Sequence, residues 1–286
     1  MSAFVAAGQN GLRLVSADGR RWTTGAVGKE GEVYRAVAFG RGRFAAVGTY
    51  GGSNLLAWSA DGAAWKNVQK DGQYKNFLRG LAFGGGAFVG IGGDPGAVGD
   101  SGPFVVTSAD GETWSDYAKI SGRHIVRRIA FGDGRWVGVG DRGRRTTSKD
   151  AREWTDVPKT KAVDTLIDVA YGAGRFVGVG LHGLRMSSLD GLEWTPRIDG
   201  EEGEHLNSIV WAKDRFVAVG TGATYLSPDG LAWTRRENKD APHVVAYGDG
   251  LFVGLQWRGR VLVSADGVAW EEVHKAEHHL EAVAYG

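Results

Sequence analysis

The sequence predicts an all-β fold: a seven-bladed β-propeller with four antiparallel strands per blade, closed by pairing of the C-terminal strand with the N-terminal ones. Three observations predict it. The pattern serine, any residue, aspartate, glycine, any two residues, tryptophan runs from Ser16 to Trp22. It returns from Ser59 to Trp65, Ser108 to Trp114, Ser148 to Trp154, Ser188 to Trp194, Ser227 to Trp233 and Ser264 to Trp270, with Ala151 replacing glycine in the fourth copy. Copies follow one another at roughly forty residues, a period of solenoids, arrays or propellers. Aromatics also flank a tight turn in Phe39/Phe44, Phe83/Phe88, Phe131/Trp136, Tyr171/Phe176, Trp211/Phe216 and Tyr247/Phe252. Finally, the chain ends on half a copy, Glu281 to Gly286, and begins on the other half, Phe4 to Gly8. Across the joined ends, Tyr285 stands to Phe4 as Phe39 stands to Phe44.

The elements of one repeat follow in order. Val33 to Phe39 is short, β-rich and partly alternating, so it predicts a first strand. Gly40-Arg41-Gly42 is a turn, and Phe44 to Gly48 a second strand. Leu55 to Ser59 is a third strand; the serine–aspartate turn follows, and its tryptophan opens a short fourth. Glycine interrupts too often for a 3.6-residue apolar period, which excludes a helical reading. In the turn, aspartate and serine oxygens accept backbone N–H bonds, glycine supplies a left-handed conformation, and the tryptophan buries its ring between sheets. These aspartates are therefore structural. In an open solenoid the ends would be distinct caps, whereas here the halves complement each other.

Composition narrows the function. The 286 residues form one predicted domain, 1–286, and 42% apolar content suffices for a packed core. Forty-seven glycines against six prolines fit many tight turns. A formal charge of +1 argues against nucleic-acid or membrane-surface partners, which favour a basic excess. The absence of cysteine excludes disulfides and thiolate metal sites. The segment from Met1 to Gly8 lacks the pattern of a signal peptide, so a soluble cytoplasmic protein is expected, although a mature secreted form would look the same. A closed ring is expected to be a stable monomer, with no cofactor.

Function must lie in what differs between copies. The residue four places before the aromatic of each inner strand is Glu281, Arg35, Arg79, Arg127, Ile167, Asn207 and His243 around the ring. Inner strands line the channel, which places this column near its mouth; arginine there suits carboxylate or phosphate. The competing reading is that the arginines pair with Glu281, Asp168 and loop acids, or lie wet on the rim. The loops after the second strand vary on the same rim and offer Tyr50, Arg142, His182, Trp257 and Arg258. Trp257 departs from the repeat and suits a sugar, a peptide or a protein hot spot. The insertion from Gly92 to Pro103 is the longest, and is expected to be a surface loop. His274, Glu277, His278 and His279 are more simply a solvated group than a metal site, since adjacent strand residues face opposite ways.

The turn, as in Ser188-Leu189-Asp190-Gly191-Leu192-Glu193-Trp194, resembles the Asp-box or BNR repeat of sialidases and many bacterial propellers, shortened by one residue before the glycine. With phrases such as Arg175-Phe176-Val177-Gly178-Val179-Gly180, the chain also looks like photosystem II assembly factor-like propellers. The resemblance covers nearly the whole chain. It implies the propeller fold, while the functions it implies span glycosidases, lectin-like binders, assembly factors and receptors. A sialidase would add an acid/base aspartate and a tyrosine nucleophile; Tyr34, Tyr50 and Tyr74 lie near the arginines, but the remaining catalytic motifs find no residue-by-residue match. The expectation is a non-enzymatic module that binds an anionic or glycan-like ligand or an acidic peptide at the channel mouth. Two alternatives stand beside it: a protein–protein assembly scaffold, and a glycosidase-like hydrolase or lyase.

Overall fold

The computed structural model describes residues 2–68, 77–95, 99–157 and 164–286. They form seven antiparallel sheets arranged as blades. Blade 1 closes the ring. Its inner strand is the C-terminal Leu280–Tyr285, followed outward by Phe4–Gly8, Arg13–Ser16 and Thr23–Ala26. Blades 2 to 7 have inner strands Val33–Gly40, Phe77–Gly84, Val126–Gly132, Leu166–Gly172, His205–Ala212 and Val244–Gly248, and each inner strand packs against the next around the channel. The register across the termini is the expected one. Phe4 pairs with Tyr285, and their rings meet at 4.7 Å, as those of Phe39 and Phe44 do at 4.8 Å.

The heptapeptide turn keeps its serine-to-aspartate bond in all seven copies, while the indole N–H groups of Trp233 and Trp270 are buried without a partner among the described residues. In the second copy the Ser59 hydroxyl donates to Asp61 Oδ1 at 3.0 Å and accepts from the Gly62 N–H at 2.8 Å. Asp61 Oδ1 also accepts from the Ala63 and Ala64 N–H groups, and the Trp65 indole donates to the Gly62 carbonyl. The fourth copy keeps these bonds with Ala151 held at φ 64°, so its methyl carries the left-handed strain that glycine avoids. The tryptophan rings share apolar clusters with residues of the preceding blade: Trp65 with Val5 and Val15, Trp194 with Val137 and Val139, Trp233 with Val177 and Val179. Truncating such a ring costs about 3–5 kcal/mol.

Blade 5 departs from the expected pattern. Its sheet holds three strands, and only the bridge between Arg185 and Ile198 marks the fourth. Ile198 follows Pro196, which lacks a backbone donor and weakens the ladder at that edge. In blade 3 the stems of the long insertion are tied together. The Asp94 N–H donates to the Ser101 carbonyl at 2.8 Å, and the Ser101 N–H to the Arg123 carbonyl at 2.8 Å. Residues 96–98 of that insertion lie outside the described residues, as does Tyr74.

Candidate functional site at the channel mouth

The predicted column coincides with a backbone irregularity. In blade 2, Tyr34 pairs with Gly48 and Ala36 with Val47, so Arg35 is skipped by the ladder. The same skip falls on Arg79, Arg127, Ile167, Asn207 and, in the closing blade, Glu281. His243 sits just before its strand and donates its N–H to the Leu255 carbonyl at 2.9 Å. A β-bulge re-aims the extra residue. All seven side chains of the column are half-buried.

The charges in this ring are unevenly neutralised. Arg35 stands 3.8 Å from Glu281, and Arg127 is paired with Asp141 of its own blade's rim loop. Arg79, between them, has no ion pair among the described residues. Burial, followed by the neighbouring charges of Arg127, Arg35 and Arg128, lowers its pKa to about 10. It remains a guanidinium at neutral pH, but one held in a cationic field with little opposing charge.

One step deeper lies a second polar group, which includes Asp168, one of the acids expected to pair with the arginines. The residues after the bulge are small and apolar in blades 1 to 3, but in blades 4, 5 and 6 they are the polar Arg128, Asp168 and Ser208. Together with Arg35 and Glu281 they line a cavity of about 120 Å³ in the channel. Arg128 donates to the Arg79 carbonyl at 2.7 Å and the Arg127 carbonyl at 3.0 Å, which ties blade 4 to blade 3. Asp168 accepts the Val169 N–H and, across the blade boundary, the Ile209 N–H, each at 2.9 Å. Burial raises the Asp168 pKa, against the opposing pull of Arg128 and these donors. The signal that could have found Arg128 and Ser208 was polarity breaking an otherwise small and apolar column.

The remaining candidates surround the mouth in separate groups. Trp257 is 65% exposed. One indole stacks on two imidazoles, His243 at 4.9 Å and His279 at 4.8 Å. Gln256 braces this cluster, accepting from the Trp257 N–H at 2.9 Å and donating to the Ala241 carbonyl at 2.6 Å. Burial lowers the His243 pKa, so its ring is neutral beneath the indole. His278 turns the other way, to Asn10 at 3.3 Å, so the adjacent histidines diverge. Among the described residues no three histidines or acids are grouped for a metal.

His182 pairs with Asp164 and lies 5.4 Å from the ring of His205. Arg142, His182 and Arg258 occupy the same place in their loops, with φ of 54°, 59° and 63°, conformations uncommon outside glycine that hold these side chains on exposed loop tips. Tyr50 is 41% exposed beside the linker entering blade 2. Tyr34, by contrast, is buried and stacked under the Arg13 guanidinium at 4.6 Å; burial raises its pKa, which removes it as a nucleophile at the mouth. The structure thus brings Arg35, Arg79, Arg127 and Glu281 together, and His243 with Trp257, while Tyr50, Arg142, His182 and Arg258 stand in separate loops.

No family model matches the chain, and no curated protein matches it by sequence. Among solved structures it is similar to YCF48 bound to D1 peptide, with a TM-score of 0.62 and 17% identity over 85% of this chain and 81% of that one. YCF48 from Cyanidioschyzon merolae follows with a TM-score of 0.60 and 16% identity over 85% of each chain. The computationally designed Ika8 protein gives a TM-score of 0.62 and 14% identity over 98% of this chain and 90% of that one. At these identities the likeness concerns the fold. No helix among the described residues is long and apolar enough to cross a membrane.

Proposed function

We propose that this propeller is a non-catalytic binding module that takes an acidic peptide segment of a protein partner at the channel mouth. The observation that carries this reading is Arg79, a half-buried guanidinium beside Arg35, Arg127 and Arg128 with no ion pair among the described residues. A carboxylate placed there would gain charge-assisted hydrogen bonds without displacing an existing partner. The bulges present the flanking side chains, with Asn207 and His243 completing the ring. The solved YCF48 structure with a D1 peptide supports a peptide ligand for a ring of this shape. We read the serine–aspartate turn as a shortened Asp box with a structural role.

A second reading, a broad protein-assembly surface, is favoured by Trp257. Its indole is rigidly stacked on one side and open on the other, as in aromatic anchors of protein interfaces. Fluorescence anisotropy separates the two. A labelled glutamate-rich peptide binds the wild type, weakens with added salt, and loses about tenfold or more in affinity in Arg79→Ala, the scale of a lost charged hydrogen bond. Binding that survives Arg79→Ala but fails in Trp257→Ala favours the assembly surface.

A further inference from the structure

The opposite rim, which carries the serine–aspartate turns, has a repeated arginine latch. Arg43 opens the second strand of blade 2, crosses to blade 3 and donates to the Asp110 carbonyl at 3.1 Å, with Glu112 as its ion partner. Arg135 makes the same crossing from blade 4 to blade 5, donating to the Asp190 carbonyl at 2.6 Å. Arg175 of blade 5 lies against Gly230 of blade 6, and its charge adds to the N–H groups of Ala232 and Leu231 in holding the Asp229 carboxyl below its ordinary range.

Blade 3 lacks the latch. Its equivalent position, opposite Gly84 as Arg43 is opposite Gly40, is Ala87. The facing turn of blade 4 differs as well: Arg152 stands where the blade 3 turn has Glu112, next to a second exposed cation, Lys149. Neither has an ion pair among the described residues. A cavity of about 460 Å³ opens here and runs across the blade boundary from Ala87 to Lys149 and Arg152. The grooves beside Arg175 and Arg215 are smaller, at about 380 and 310 Å³. A space of this size suits a small ligand. Its lining residues include Trp114, Phe131 and Trp136, and Asp150, whose carbonyl is the counterpart of the latch acceptors at Asp110 and Asp190. The Asp150 carboxylate is engaged in its own turn by the Arg152 and Glu153 N–H groups.

We propose that this gap is a second ligand site, for an arginine at the C-terminus of a peptide. The ligand's guanidinium takes the place of the missing latch and donates to the Asp150 carbonyl. Its aliphatic stem lies against the aromatic lining, and its α-carboxylate meets Lys149 and Arg152. Two features argue for this pairing of charges: the slot is one that an arginine fills from blades 2 and 4, and its mouth carries two cations without an ion pair among the described residues.

The test titrates the whole protein with Nα-acetyl-L-arginine and with Nα-acetyl-L-argininamide, which lacks the carboxylate, using calorimetry. The acid binds, and the amide binds about tenfold more weakly, the scale of one charged contact. Ala87→Arg supplies the latch from within and abolishes binding of the acid. Should that variant fail to fold, Arg152→Glu on the exposed turn serves instead, and reverses the preference in favour of the amide. The proposal is overturned if the wild type binds neither probe at millimolar concentration, if acid and amide bind alike, if Ala87→Arg leaves acid binding unchanged, or if Arg152→Glu leaves the preference unchanged.

Discussion

Asp61 and its six counterparts show how far a residue's role can be read without coordinates. Aspartate two residues after serine, followed by glycine, specifies a turn whose N–H groups converge on one carboxylate oxygen. Those N–H groups hold Asp18, Asp61, Asp110, Asp150, Asp190 and Asp229 below the ordinary carboxylate range. A carboxyl with a lowered folded pKa contributes stability above its unfolded value, and loses that contribution as pH falls through the folded one. Thermal melts are therefore expected to fall steeply once the pH drops below the ordinary carboxylate range, and an Asp61→Asn variant to show a weaker acid dependence. Gly191 supplies a second prediction. It holds φ 74°, and a Cβ there would lie 2.4 Å from a Val137 methyl. Gly191→Ala should cost about 1–3 kcal/mol in chemical denaturation, from left-handed strain plus overpacking. The arginine column was legible in part: Glu281 and a loop acid were among the expected partners, and Glu281 and Asp141 do pair with Arg35 and Arg127. Spacing does not encode which arginine is left without a partner, and that is Arg79 among the described residues.

Strands were legible where alternation and paired glycines mark them, and the bulges were not. A bulge adds one residue to one strand without changing its polarity pattern, so the inner-strand column was readable as a set of positions but its skipped pairing was not. The same limit hid Asp168 as a tie between blades 5 and 6. Its carboxylate accepts N–H bonds from both inner strands while facing Arg128 in the channel. Asp168→Ala removes both acceptors and leaves Arg128 without its main opposing charge. Destabilisation of about 3 kcal/mol is expected, the lower end of the loss on breaking a buried charge pair, and is measurable by urea unfolding. Blade 5 shows the converse failure. Its serine–aspartate turn is intact, yet the strand that should follow it shrinks to a bridge, because Pro196 removes a donor and the turn motif alone does not carry the fourth strand.

At the scale of the molecule, the ring depends on one junction between chain ends. Leu280–Tyr285 supplies the inner strand of blade 1 and packs against the inner strands of blades 2 and 7. Removing that strand opens the ring and leaves Phe4–Gly8 with an unpaired edge. A chain truncated before Leu280 should aggregate or lose its cooperative melt, as scanning calorimetry would record. Closure also sets the function proposed for the mouth, because Glu281 arrives on this last strand to neutralise Arg35 and leaves Arg79 as the open cation. That arrangement is tested most directly by isothermal titration of a glutamate-rich peptide and its glutamine counterpart against the wild type and Arg79→Glu. The account predicts salt-sensitive binding of the glutamate peptide alone, abolished by the charge reversal while the melting temperature stays near that of the wild type. Equal binding of both peptides, or undiminished binding to a folded Arg79→Glu protein, would contradict it.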